Sequence, residues 1–137
     1  MTTGLERVAA TCLFPSFEGR APPQWIRRWL QEGLGGGVLF ARNVESREQL
    51  RSLTDGLRAE RGDVLVAIDE EGGDVTRLEV RTGSSYPGNA ALGVVDDVEL
   101  TEQVAAAIAW DLVEVGVNLN LAPVADVNTN PMNPVIG

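Results

Sequence analysis

Five apolar residues in succession, from Val64 to Ile68, constrain this chain more than any other feature in it. A strand with no polar alternation is buried on both faces, the habit of parallel sheets covered by helices. Parallel neighbours need long crossover connections, and helices are the usual ones. The run ends abruptly in Asp69, Glu70 and Glu71, followed by Gly72 and Gly73. Carboxylates at the carboxyl end of a parallel strand stand where α/β folds keep their chemistry. The plain alternative is a solvated acidic loop after a strand.

The rest of the sequence supplies the crossovers. Residues 8–14 read as a first strand, ended by Pro15. Pro23 opens a helix in which Ile26, Trp29 and Leu30 recur at helical spacing, so Trp29 is expected to pack on the sheet, and Gly33 stops it. A second strand, residues 38–41, ends at Arg42 and Asn43. Ser46 and Gln49 form a capping-box pattern ahead of the Leu50, Leu53 and Leu57 stripe of a second helix. The 64–68 strand is the third. Residues 70–95 read as one long loop carrying Arg77, Tyr86, Pro87 and Asn89, a length uncommon outside functional loops.

Asp96 and Glu99 then cap a third helix, with Leu100, Val104, Ile108, Leu112 and Val115 as its buried face and Gly116 as its stop. In a fourth strand, residues 117–122, Asn118 and Asn120 alternate with leucines and share one face. That face is expected to line a barrel lumen, where the amides would hydrogen-bond one another. Asp126 follows at this strand's carboxyl end, ahead of an extended tail, residues 128–137.

The order β-α-β-α-β-α-β makes this an α/β chain of parallel (β/α) units joined by right-handed crossovers. Two architectures fit, a doubly wound open sheet and half of a TIM (β/α)8 barrel. A complete barrel takes about 250 residues. With 137 residues and four expected strands, the chain matches half of one.

Composition removes several classes of function. A net charge of −9 repels phosphate backbones, so neither a nucleic acid nor an anionic membrane surface is expected as a partner. There is no histidine, which rules out a histidine base or a Ser-His-Asp triad within these residues. Cys12 is the single cysteine, leaving no internal disulfide and no cysteine zinc site. The first residues show neither a basic leader nor an apolar segment long enough for a signal peptide, and a cytoplasmic location is expected. The glycines form neither GxGxxG nor a P-loop, and Asp74 after Gly73 opposes a phosphate.

The carboxylates are more informative. Ionised, they accept several sugar hydroxyls at once. They could also hold Mg²⁺ with waters, or include an acid whose pKa its neighbours raise. Spacing does not choose among these. A Mg²⁺-dependent barrel lyase or aldolase using Asp69, Glu71 and Asp126 therefore stays open at this point, as does a non-catalytic sugar-binding module.

Four stretches narrow the choice: GGGVLFARNV from Gly35, AIDEEGGDVTRL from Ala67, YPGNAALG from Tyr86 and GVNLNLAPVADVNTNPMNPVIG from Gly116. Together they resemble the amino-terminal half of glycoside hydrolase family 3 catalytic barrels, and within that family the bacterial β-N-acetylhexosaminidase branch. The resemblance implies half of a TIM barrel and a retaining glycosidase without a cofactor. Its substrate would be a carbohydrate, terminal β-linked N-acetylglucosamine as in peptidoglycan fragments, with β-glucosidase as the neighbouring activity in the family. Asp69 would grip hydroxyls of the terminal sugar, with Glu71 beside it. Arg77 matches an arginine that orders the loop, Asp126 an aspartate at the barrel mouth, and Arg42 with Asn43 the residues after the second strand. The nucleophile and the acid/base histidine would lie outside residues 1–137, so this chain alone is expected to be inactive. Open sheet edges would also favour self-association.

Overall fold

The computed structural model describes residues 4–130 and 132. Three parallel strands form one sheet in the order β1-β2-β3, with β1 at Gly36–Leu39, β2 at Leu65–Ile68 and β3 at Leu119–Asn120. Gly36 faces Leu65 in register, and Ile68 faces Asn120. Helices α1 (Gly4–Ala10), α2 (Gln24–Glu32), α3 (Arg47–Glu60), α4 (Asn89–Val95) and α5 (Val98–Glu114) complete the regular structure, with a 3₁₀ turn at Ala41–Asn43. Strand order follows chain order, as barrel units require and as the reversal in a doubly wound sheet does not.

The core lies between the sheet and α2, α3 and α5. Ile26 and Leu30, the leucines 50, 53 and 57, and Ile108 and Leu112 pack against Val64, Val66 and Ile68, all at most 5% exposed. Each of these side chains is worth about 1.5–3 kcal/mol of burial. The expected helix boundaries hold well. Gly33 ends α2 with φ at 115°, and the Ser46 hydroxyl accepts the Gln49 N–H at the start of α3. The Gln49 side chain closes the cap by accepting the Glu45 N–H, one residue earlier than in the standard box.

Several expectations are corrected. Residues 8–14 are not a strand, because α1 occupies Gly4–Ala10, where Leu, Glu, Arg and Ala outweigh one β-branched Val8. An extended piece does survive: the Gly36 N–H donates to Leu13 O at 3.3 Å and the Val38 N–H to Pro15 O at 3.2 Å. Pro15 has no N–H to return to β1, so the parallel ladder is one-sided. The second strand starts earlier than expected, at Gly36, where a Cβ would meet Leu65 O and the Phe14 ring.

The 70–95 loop contains α4, whose αL cap is Asp96 at φ 53°, and Asp97 is the residue that caps α5. Leu65 and Leu100 are 40% and 37% exposed rather than buried. Trp29 lies off the core, 46% exposed, in an edge-to-face pair with Trp25. The fourth strand pairs only over Leu119–Asn120. The expected tail at 128–137 and the VIG end of the last matching stretch fall largely outside the described residues.

Candidate functional site

The site is built by the turn that leaves β2. Asp69, the first residue past the strand, accepts from Arg77 Nη2 at 3.1 Å, and both side chains are about a quarter exposed. Glu70 turns the opposite way and is 3% exposed. Its Oε2 accepts the Arg77 and Leu78 N–H groups at 2.8 and 3.0 Å. A buried carboxylate with two backbone donors is a brace, and it fixes the backbone from which Arg77 reaches Asp69.

Glu71 serves a third direction. Its Oε2 accepts from Asn89 Nδ2 at 2.9 Å and from the Val124 N–H at 3.3 Å, tying the turn to α4 and to the chain after β3. Gly72 and Gly73 allow the chain to reverse, with φ at 86° and 55°. A Cβ on Gly72 would meet Pro87 O, so the turn seats directly on residues 87 and 88.

The asparagines work differently from the expectation that they would pair with each other. Asn120 clamps Glu70 from both sides, its Oδ1 accepting the Glu70 N–H at 3.0 Å and its Nδ2 donating to Glu70 O at 2.8 Å. Asn118 does the same one turn of the ladder earlier, to the Val66 N–H and Val64 O. The two amides thus complete the β2–β3 seam. In the 3₁₀ turn after β1, buried Asn43 donates to Phe17 O and Gly19 O and accepts the Phe40 N–H, pinning the loop beside it.

The far end of the loop is anchored by Tyr86, whose hydroxyl donates to Asp111 Oδ2 at 3.0 Å. Arg47 Nη2 donates to the same oxygen at 2.9 Å. The Arg47 hydrogen bond holds the Asp111 carboxyl below its ordinary value, and burial pushes the Tyr86 hydroxyl up.

Of the residues singled out from sequence, Asp69 and Arg77 meet at the carboxyl end of β2. Glu71 is on the same turn but is occupied by Asn89. Arg42, after β1, pairs with Glu18 Oε1 at 2.9 Å and lies over the Phe40 ring. Asp126 is exposed six residues past β3. Neither hydrogen-bonds to the Asp69–Arg77 pair among the described residues. Asp69, Glu71 and Asp126 do not converge as Mg²⁺ ligands, and no group of three His, Cys, Asp or Glu side chains is placed to hold a metal among the described residues. Arg77 Nε is buried without a partner, an open donor beside a strand-end carboxylate, as functional sites often show and packed cores rarely do.

The bracing roles of Glu70, Asn89 and Asn120 were not read from the sequence, although it drew attention to all three residues. For Glu70 and Asn120 the one signal was a polar residue inside or just after an otherwise apolar strand, which has to satisfy something buried; Asn89, the first residue of α4, gave none.

Residues 5–137 match the model of the glycosyl hydrolase family 3 N terminal domain. A β-hexosaminidase A from Pseudoalteromonas piscicida is 38% identical over 84% of this chain and 21% of its own length. A β-hexosaminidase from Bordetella avium is 37% identical over 87% of this chain and 36% of its own. A solved glycoside hydrolase family 3 β-N-acetylglucosaminidase from a Paenibacillus species superposes with TM-score 0.86 at 34% identity, over 99% of this chain and 27% of that one. NagZ from Neisseria gonorrhoeae, solved with N-trifluoroacetyl-D-glucosamine, superposes with TM-score 0.73 at 28% identity, over 85% of this chain and 36% of its own. The chain thus spans about a fifth to just over a third of the length of these relatives.

Proposed function

We propose, for a chain that belongs to the glycosyl hydrolase family 3 N-terminal domain family, that residues 1–137 form the first half of a barrel that removes terminal β-linked N-acetylglucosamine with retention. The observation that carries this reading is the Asp69–Arg77 pair, partly open at the end of β2 and built on a braced turn. A carboxylate held beside a guanidinium presents acceptors and donors side by side, the arrangement that grips neighbouring hydroxyls of one sugar ring. Glu71 and Asp126 shape the rim around it, and Arg42 borders it from β1. The relatives' names, β-hexosaminidase and β-N-acetylglucosaminidase, support the choice of sugar. Peptidoglycan fragments in the cytoplasm are the substrate and place that fit this reading.

Retaining hydrolysis takes a nucleophile and an acid/base on the two sides of the glycosidic bond. This half contributes neither. Glu70 and Glu71 are both committed to structural hydrogen bonds. With no histidine in the sequence, a histidine acid/base would come from the other half. What residues 69–77 do is hold the terminal ring, so that binding energy goes into orientation.

The test is cleavage of a chromogenic β-N-acetylglucosaminide by this chain joined to the carboxyl-terminal part of the Bordetella avium relative. Turnover is expected, with Asp69→Asn and Arg77→Met each lowering kcat/KM about 10- to 100-fold, the worth of one charged hydrogen bond. Residues 1–137 alone should give none. Unchanged kcat/KM in both variants, or turnover by the chain alone, contradicts the proposal.

A further inference from the structure

Residues 72–88 carry Arg77 back to Asp69, and Tyr86 ties this loop to the outer helices. Its ring packs against the core, and its hydroxyl donates to Asp111 Oδ2 on α5 at 3.0 Å. Arg47 Nη2 donates to the same oxygen at 2.9 Å, so the phenol meets a carboxylate already held from α3. Helix α3 is itself fixed on both sides. Toward α2, Glu60 accepts from Arg27 Nη1 and Gln31 Nε2, each at 2.6 Å. Toward α5, Arg51 Nη1 donates to Glu114 O at 3.1 Å. Ile108 and Leu112, beside Asp111, are buried. The acceptor offered to Tyr86 therefore stands on packed, regular elements.

The backbone of Tyr86 meets the turn that builds the site. Its carbonyl oxygen accepts the Gly73 N–H at 2.9 Å. The next two residues leave no slack: a Cβ on Gly72 would meet Pro87 O, and one on Gly73 would meet Gly88 Cα at 2.8 Å. From Gly73 the path to the Asp69–Arg77 pair is short. The Val75 N–H donates to Gly72 O at 3.1 Å and the Glu71 N–H to Val75 O at 2.9 Å, closing a tight antiparallel bridge. Arg77 follows two residues later, its N–H on Glu70 and its Nη2 on Asp69. A shift of Tyr86 thus passes through residues 72–75 to the guanidinium. Close-packed contacts transmit displacement, and an error of about 1 Å at a binding group is costly.

We propose that Tyr86 and Asp111 are positioning residues for the sugar site: their hydrogen bond, backed by Arg47, sets the seat of the Gly72–Gly73 turn and so the placing of Arg77 against Asp69. Both act through the turn, since neither hydrogen-bonds to Asp69 or Arg77 among the described residues. Burial of the ring is non-directional, whereas the hydroxyl's hydrogen bond fixes where the ring points. A phenylalanine at residue 86 would keep the packing and lose the aim. This role rests on the reading of Asp69 and Arg77 as sugar-holding groups, yet the geometry it sets is visible without a sugar.

The experiment compares the ¹⁵N-labelled full chain with Tyr86→Phe, Asp111→Ala and the double variant. It follows the buried Arg77 Nε–H resonance and the Gly73 amide, and titrates each protein with N-acetylglucosamine. In Tyr86→Phe both signals should move, and binding should weaken about three- to tenfold. The double variant should bind no more weakly than Asp111→Ala, because the two substitutions cut one link. Ile26→Val, a core change on α2, is the control for lost stability. It should lower the urea midpoint, leave both signals in place and bind as the parent does. Unmoved Arg77 and Gly73 signals in Tyr86→Phe overturn the proposal. So do moved signals with unchanged affinity, additive losses in the double variant, or a control that moves the same signals. A parent that does not bind the sugar contradicts the reading of Asp69 and Arg77 instead, and the two resonances then decide the positioning role by themselves.

Discussion

At the scale of single residues, three adjacent carboxylates have three different tasks. Asp69 faces the rim and Arg77, Glu70 faces the interior, and Glu71 faces α4. Glu70→Gln keeps the size but offers one neutral acceptor oxygen to two backbone donors. It should lower stability by about 2 kcal/mol, read as a lower urea midpoint, and an unchanged midpoint would contradict the bracing role. Asp111 and Tyr86 carry a pH dependence. The depressed Asp111 carboxyl contributes stability that is present above the unfolded carboxylate value and is lost as pH falls through its lower folded value. The raised Tyr86 hydroxyl contributes stability present below the unfolded tyrosine value and lost as pH rises through its folded value. Thermal melts of Asp111→Asn should therefore show a flatter acid limb, and those of Tyr86→Phe a flatter alkaline one. Limbs matching the parent would mean that the loop anchor carries no linked stability. Asp69 was legible in the sequence because it interrupts an apolar strand. The division of labour among its neighbours was not, because it depends on which backbone N–H groups the loop brings back to residue 70.

At the scale of elements, the ends of α2 and α3 were read closely, while the strands were read loosely and α1 and α4 not at all. Caps are local, and Ser46 and Gly33 announce themselves within one turn. Strand ends depend on a neighbour. Residues 13–15 are extended because β1 lies beside them, and Pro15 keeps the pairing one-sided. Likewise α4 hides in a stretch whose Gly and Asn content reads as loop, and because Asp96 is its αL cap, the N-cap role read for Asp96 falls to Asp97. Ser46→Ala should cost about 1 kcal/mol. Gly116→Ala should cost more, about 2 kcal/mol or above, since φ is 78° and a Cβ there would meet Thr54 Oγ1, which is buried and bonded to Val115 O. Equal unfolding midpoints for the two variants would mean that the α5–β3 joint is looser than this packing implies.

At the scale of the whole molecule, the (β/α) arc sets Arg42, Asp69 and Asp126 after the carboxyl ends of consecutive strands. Chain order, strand order and polar joints on both sides of α3 all describe one segment of a ring. The half-barrel was legible because crossover topology and family motifs pointed the same way. The exposure of the tryptophans was not, since helical periodicity marks an apolar face without saying whether the sheet or another half-ring covers it. Whether the end of β2 holds a sugar, as proposed, is read from a titration of the ¹⁵N-labelled chain with N-acetylglucosamine. Shifts should concentrate on the amides of residues 69–77 and vanish in Asp69→Asn. Shifts centred elsewhere in the chain, or the same shifts in that variant, would contradict it.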